Sequence, residues 1–163
     1  MMEFKLPVES GAIFKQNRRY RICLWRIWDR SKPLVLFIGL NPSTADESEN
    51  NPTIRSVINI ATYNGYGGVY MMNCWPFVST DPDAINIHGF KEFNDDWWFE
   101  YLKNRCKDVV FAWGNFKIVE QTGRGDELRK IFPTAKCIGR NKNGSPKHPL
   151  YQRKDSKLIK YIP

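Results

Sequence analysis

The sequence has few of the residues that build metal centres and disulfide frameworks. Its 163 residues include four cysteines and two histidines. No two cysteines form a Cys-x-x-Cys pair, which argues against a zinc or iron–sulfur site, and no acidic cluster has the spacing of metal ligands. We predict no metal ion and no cofactor. We expect buried free thiols at Cys23, Cys74, Cys106 and Cys137.

Long hydrophobic runs are also missing. Lys32 and Asn41 bracket the longest strand-like apolar run, which is well short of the roughly 20 residues of a membrane span. Residues 1–7 lack the apolar core of a signal peptide, and no repeat or low-complexity linker divides the chain. We expect a cytoplasmic protein without membrane association, folded as one domain over residues 1–163.

Positive charge and aromatic residues are abundant. The net charge is +8, hydrophobic residues make up 42% of the chain and aromatic residues 14%, which excludes a disordered protein. Basic residues gather near both ends: Lys15, Arg18, Arg19, Arg21, Arg26 and Arg30, then Arg140, Lys142, Lys147, Arg153, Lys154, Lys157 and Lys160. This pattern suits nucleic acid or another phosphorylated ligand, although a solvated basic surface explains it equally well.

Apolar patterning predicts an α/β fold. Buried parallel strands are continuous apolar runs, and such runs occupy residues 34–40, 69–74, 108–113 and 135–139. We expect one helix to begin at Pro52, a second to be capped by residue 94 or 95 and to run to about residue 105, and a third over residues 116–132. Residues 18–28 alternate charged and apolar side chains, which predicts a half-buried N-terminal edge strand. The alternation of strands and helices predicts three layers, with a central and mainly parallel sheet.

Polar and aromatic residues follow three of these strands. The segments are 39–43, 73–77 and 144–149. Open α/β sheets bind ligands beyond the carboxyl ends of their strands, so we expect Asn41, Asn73 and His148 to line one crevice. An Asn amide can both donate to and accept from a base edge, an aromatic ring can stack on a base, and His can donate a proton near neutral pH. Turn, cap and core roles are the alternatives for these residues.

The order of motifs along the chain resembles a known family. Leu-Asn-Pro-Ser-Thr-Ala-Asp, Asn-Pro-Thr-Ile-Arg, Gly-Tyr-Gly-Gly and Gly-x-Pro-x-His-Pro-Leu-Tyr follow one another. From about residue 18 to residue 151 the chain is similar to a bacterial and phage family known as domain of unknown function 1643. This resemblance implies no particular activity.

A more distant resemblance, to the uracil-DNA glycosylase superfamily, implies a fold and residue roles. Those enzymes carry Gly-x-Asn-Pro after the first core strand, an Asn at the end of another strand, and His-Pro after the last. Residues 39–42, Asn73 and 148–149 are similar to these motifs. The resemblance implies a glycosylase-like three-layer fold in which Asn41 positions a water, Asn73 reads the base and His148 stabilises the departing base.

The chain departs from the glycosylase motifs at two positions and lacks a carboxylate in the first. Ser43 replaces a Gly, Leu150 replaces a Ser, and Asp46 is a nearby carboxylate that could serve as base or simply mark helix entry. The expected catalytic residues are Asn41, His148 and Asp46. The expected substrate-binding residues are Gly39, Pro42, Ser43, Asn73, Trp75, Phe77 and Lys147.

The expected function is recognition of a nucleobase or nucleotide, alone or in nucleic acid, with hydrolysis of an N-glycosidic bond as the reaction. A non-catalytic binding module using the same crevice is an open alternative. A metal-dependent nucleotide-modifying enzyme using Asp46 is a third, which the missing metal-ligand cluster disfavours. The sequence indicates neither the base nor the oligomeric state.

Overall fold

The computed structural model describes residues 9–87 and 96–163, which form a seven-stranded sheet with helices packed against it. The strands are β1 (Glu9–Lys15), β2 (Tyr20–Ile27), β3 (Leu34–Gly39), β4 (Gly68–Asn73), β5 (Asp108–Phe111), β6 (Lys136–Cys137) and β7 (Ile159–Lys160). The helices are α1 (Pro52–Tyr63), α2 (Asp96–Lys103), α3 (Lys117–Gln121) and α4 (Arg124–Ile131), with a 3-10 helix at Pro82–Ile87. No helix among these residues is long and apolar enough to cross a membrane.

The strand order is β1-β2-β4-β3-β5-β6-β7. The four inner strands β4, β3, β5 and β6 run parallel, whereas β1, β2 and β7 join the sheet through antiparallel pairings. Strand β3 lies between two parallel neighbours, and its residues 35–38 are fully buried. The predicted α/β fold is confirmed, but the sheet is mixed and not mainly parallel, because three of the strand pairings among the described residues are parallel and three are antiparallel.

Helices cover both faces of the sheet. Val35 and Phe37 of β3 pack in one apolar cluster with the buried face of α1. The intervening Leu36 and Ile38 pack in a second cluster with residues of α2, α3 and α4. The residues of β3 alternate between these two clusters because successive side chains of a strand point to opposite faces.

Helix α1 begins as its sequence predicts. The Oδ1 atom of Asn51 accepts a hydrogen bond from the backbone N–H of Ile54 at 2.9 Å, and Pro52 occupies the first helical turn, where its missing N–H costs nothing. Asn51 also joins the amino end of α1 to the loop after β3, because its Nδ2 donates to the Oγ of Ser43 at 3.1 Å.

The prediction for residues 18–28 is wrong in one respect. They form a strand, but β2 pairs with β1 on one side and β4 on the other, so the N-terminal edge strand is β1. Ile13 pairs with Cys23 and the next residue, Phe14, pairs with Arg21, which leaves Ile22 as an extra residue. A bulge of this kind re-aims side chains, and Arg21 is buried, 2% exposed, where simple alternation predicts a solvent-facing side chain.

The C-terminal third also differs from prediction. The helix expected over residues 116–132 is two helices, because Gly123 adopts a left-handed conformation (φ 75°) between α3 and α4. Strand β7 was not predicted, since a two-residue strand has no recognisable period. The predicted helix start at residue 94 or 95 lies outside the described residues.

All four cysteines are buried and free, as predicted. Burial raises the pKa of Cys23 and of Cys106 to about 12, so these thiols are protonated and unreactive at neutral pH. They contribute to the core as small apolar side chains.

Candidate functional site

A crevice of about 230 Å³ opens at the carboxyl ends of β3 and β4, beside the amino end of α1. Six of the residues expected to form the site line it: Gly39, Asn41, Pro42, Ser43, Asn73 and His148. Six polar or aromatic residues that were not expected also line it: Arg21, Asn51, Thr53, Ser79, Thr80 and Phe116. The crevice therefore combines amide, hydroxyl, imidazole and guanidinium groups, and none of its described lining residues carries a carboxylate.

Asn41 fixes the shape of the crevice. Its Nδ2 donates to the carbonyl of Ser79 at 2.8 Å and to that of Pro42 at 3.1 Å. The N–H of Ser79 in turn donates to the carbonyl of Pro42 at 2.9 Å. These bonds join the loop after β3 to the loop after β4. Because Nδ2 is used in this way, Oδ1 is the polar atom that Asn41 can offer to a ligand or a water.

Asn73 ends β4 and is 2% exposed. Its position depends on the glycine opposite, because Gly39 pairs with Asn73 across β3 and β4. A Cβ atom at Gly39 would lie 2.8 Å from Asn73 Oδ1 and 2.7 Å from the Cε of Met71. Gly39 thus gives the Asn73 amide room at the floor of the crevice, as a glycine does where groups approach closely.

His148 approaches from the loop after β6. Its Nδ1 accepts a hydrogen bond from the N–H of Leu150 at 3.1 Å, which fixes the neutral ring as the tautomer with the proton on Nε2. Burial lowers the pKa of His148 from its ordinary value of 6.5, since desolvation disfavours the charged form. The imidazole is therefore neutral at pH 7 with its proton on Nε2, and His148 is one of the residues that line the crevice. Gly114 (φ 82°) packs against the Cβ atom of His148.

Arg21 is the residue that sequence reasoning missed most completely. Its Nη1 donates to the carbonyl of Ala45 at 3.1 Å, and within residues 9–87 and 96–163 its Nε has no acceptor and its guanidinium no carboxylate partner. Burial lowers the pKa of Arg21 to about 10, which leaves the side chain charged at neutral pH. The alternating pattern predicted an exposed arginine, and no sequence signal marks the bulge that turns it inward.

Two expected aromatic residues lie away from the crevice. Trp75 is 3% exposed and packs in the core cluster that contains Phe99. The ring of Phe77 makes an edge-to-face contact with Tyr20, with ring centroids 5.8 Å apart. The aromatic side chain that does line the crevice is Phe116, 36% exposed. Phe116 follows β5, so the strand-end argument already contained the signal that could have found it.

Asp46 and Lys147 also lie outside the crevice lining. The Asp46 carboxylate accepts from the N–H groups of Ser48 and Glu49 at 2.9 and 2.8 Å, and these bonds lower its pKa. Asp46 therefore holds a turn and is a weak proton acceptor. The N–H of Lys147 donates to the carbonyl of Gly139 at 2.9 Å, and its aliphatic stem lies along Gly139.

The fold and the crevice define an α/β protein with a polar crevice at the carboxyl edge of its parallel strands. Residues 19–150 match the sequence profile of a family described as protein of unknown function (DUF1643). The match covers most of the chain, and the protein belongs to this family. Comparisons with curated proteins and with solved structures gave no match.

Proposed function

We propose that this crevice recognises a nucleobase-containing ligand and that the protein hydrolyses its N-glycosidic bond, on a fold of the uracil-DNA glycosylase type. One observation carries the proposal: Asn41, Asn73 and His148, which follow three different strands, line a single crevice. Each offers a polar group that suits a base or the chemistry beside it.

The size of the crevice suits a small ligand or a small part of a larger one. Its volume of about 230 Å³ is below the roughly 300–1,000 Å³ of pockets that hold drug-sized molecules. Asn73 can both donate to and accept from a base edge, and it is held in place by the paired strands. The ring of Phe116 is available for stacking, which contributes about 1–3 kcal/mol per base in other proteins.

The neutral form of His148 supports the departure of a base anion. In the proposed reaction, the oxygen of a water bonds to the anomeric carbon while the carbon–nitrogen bond breaks and its electron pair leaves on the base. The proton released by the water passes to the base. The N–H at Nε2 of His148 would stabilise the developing negative charge, and Oδ1 of Asn41 would orient the water.

A non-catalytic binding module is the second candidate, and one observation favours it. No carboxylate lies among the described lining residues, and the Asp46 carboxylate is engaged in a turn. A water held by an amide alone lacks a strong base, so the same crevice could bind a nucleotide without hydrolysing it.

The test measures release of free base from oligonucleotides with uracil or other modified bases and from free nucleosides. In His148→Asn, the new side-chain oxygen can still accept from the N–H of Leu150, but the N–H donor at Nε2 is lost. Removal of one such stabilising donor typically lowers the rate about 100- to 1,000-fold. The control is Tyr151→Asn, an exposed position of the same loop that is not part of the crevice lining, and it should leave the rate unchanged.

Three results separate the candidates. Base release that survives His148→Asn contradicts the proposed mechanism. Tight binding without base release, weakened by Asn73→Ala, supports the binding module. If no nucleobase, nucleoside or nucleotide binds at all, the nucleobase proposal itself is wrong.

A further inference from the structure

We infer that the crevice also holds a phosphate group of its ligand, bound by the guanidinium of Arg21 beside the first turn of α1. The inference deepens the proposed function and rests on it for the rest of the ligand, which makes the ligand a nucleotide unit and not a free base or nucleoside.

Arg21 is a buried cation without a counter-ion in the described part of the chain. Its side chain is 2% exposed, yet it makes one hydrogen bond, to the carbonyl of Ala45. Its Nε has no acceptor among the described residues. A buried charge is strongly disfavoured unless it is paired and hydrogen-bonded. A ligand anion in the crevice would supply the missing counter-charge, and phosphate is an anion that the planar guanidinium of arginine binds well.

The other two buried arginines show what a structural arginine looks like in this chain. Arg26 donates to the carbonyls of Trp25, Asp46 and Glu49 and to Asn50 Oδ1. Arg124 donates to the carbonyl of Cys74 and pairs with a carboxylate, at 2.9 Å in each case. Both lie away from the crevice lining, whereas Arg21 is part of it. The difference in partners therefore coincides with access to the ligand.

The amino end of α1 adds a second group of donors at the same place. Asn51, Thr53 and Ile54 line the crevice. Pro52 has no N–H and the N–H of Ile54 is taken by Asn51, so the N–H of Thr53 is the first-turn donor left for a ligand. The positive end of a helix dipole favours an anion. The hydroxyls of Ser43 and Thr53 lie in the same lining.

Phosphate fits this arrangement better than a carboxylate. A phosphate offers three acceptor oxygens and up to two charges, which suits a guanidinium, a helix amino end and hydroxyls arranged around one volume. A crevice free of described carboxylates would not repel it. The phosphate can belong to a mononucleotide or to a strand of nucleic acid, because the local chemistry is the same.

The test compares each nucleoside with its 5′- and 3′-monophosphate by calorimetry, with inorganic phosphate and a short oligonucleotide as further probes. We expect the monophosphate to bind at least tenfold more tightly than its nucleoside. In Arg21→Gln the affinity for the monophosphate should fall about 10- to 100-fold, the usual effect of losing hydrogen bonds to a charged group, and the affinity for the nucleoside should stay the same. Arg19→Gln is the matched control: Arg19 is exposed and two residues away, so the same loss of charge should change affinity less than twofold.

Arg21→Lys is a second variant, in case Arg21→Gln does not fold. It keeps the positive charge but lacks the planar guanidinium, so its affinity for the monophosphate should be intermediate. Equal affinity for nucleoside and monophosphate, or an Arg21→Gln variant with unchanged affinity, would overturn the inference while the nucleobase proposal stands. If inorganic phosphate binds as well as every nucleotide and Arg21→Gln abolishes both, the phosphate site stands and base recognition fails. An oligonucleotide that binds more tightly than any mononucleotide identifies nucleic acid as the phosphate source.

Discussion

The two ends of β2 carry arginines that are equally buried and differently used. Arg21, near the amino end, and Arg26, near the carboxyl end, are each 2% exposed. Arg26 donates to Asp46, Glu49 and Asn50 in the segment between β3 and α1, and to the carbonyl of Trp25 within β2. Arg21 donates to that segment once, to the carbonyl of Ala45, and is one of the residues that line the crevice.

The difference shows that burial alone does not define the role of a charged side chain. A guanidinium whose donors are matched by fixed carbonyls stabilises the fold. A buried guanidinium that lacks acceptors for some of its donors lowers the stability of the fold. Proteins keep such destabilising groups mainly at functional sites. Strand β2 runs antiparallel to β4, so its amino end lies at the same edge of the sheet as the carboxyl ends of β3 and β4. Arg21 therefore reaches the crevice from the start of its strand.

The largest effect is expected on stability, from the same substitution at both arginines. Arg26→Met leaves several buried carbonyls without donors and should lower the free energy of unfolding by about 3–5 kcal/mol. Arg21→Met removes a desolvated charge with one hydrogen bond, and such a replacement is often neutral or stabilising, so its effect should stay within about 1 kcal/mol. Urea unfolding of both variants measures this. Equal destabilisation would mean that Arg21 is a structural residue.

A smaller effect is expected from a methyl group at the crevice floor. Gly39→Ala places its Cβ atom 2.8 Å from Asn73 Oδ1 and 2.7 Å from the flexible end of Met71. Overpacking of this kind costs about 1–3 kcal/mol, and it should also displace the Asn73 amide and weaken nucleotide binding at least tenfold. Gly67→Ala serves as the comparison variant, since Gly67 lies near the carboxyl end of β2 and outside the crevice lining. Its Cβ atom would lie 1.8 Å from the backbone carbonyl oxygen of Asp29.

Calorimetry and urea unfolding of the two glycine variants separate site from scaffold. Gly67→Ala should lose more stability than Gly39→Ala, and whatever protein stays folded should bind nucleotide normally. If Gly39→Ala binds as tightly as the wild type, Asn73 does not read the ligand.

Sequence patterns predict the central part of this fold because its physical signals are local. A continuous apolar run marks β3, and Asn51 followed by Pro52 marks the start of α1. The strand-end argument also selects Asn41, Asn73 and His148, which the structure brings to one crevice. This prediction needs only the direction of the chain and the parallel arrangement of the strands, and both can be predicted from the sequence.

The rest depends on tertiary pairing that no local pattern reveals. The extra residue Ile22 reverses the face of Arg21 only because β1 and β2 pair out of step. Trp75 follows a strand, as the predicted site requires, but its side chain is buried in the core. Phe116, which follows β5, is instead exposed. The Asp46 carboxylate lies outside the crevice because it accepts hydrogen bonds from two backbone N–H groups of its own turn.

The smallest expected effect is a dependence of stability on pH that comes from His148. Burial lowers its pKa in the folded protein below the ordinary 6.5. Above pH 6.5 both states are neutral and the residue contributes nothing. Below pH 6.5 the unfolded chain binds the proton first, so stability falls until the pH reaches the folded pKa, with a slope of at most about 1.4 kcal/mol per pH unit.

His148→Gln should remove this slope in urea unfolding between pH 7 and 5. The other histidine, His88, is present in both proteins, so any contribution it makes cancels in the difference. Parallel pH profiles of wild type and variant would mean that His148 is not held neutral, and the crevice would then present a cation where the proposed reaction needs a neutral donor.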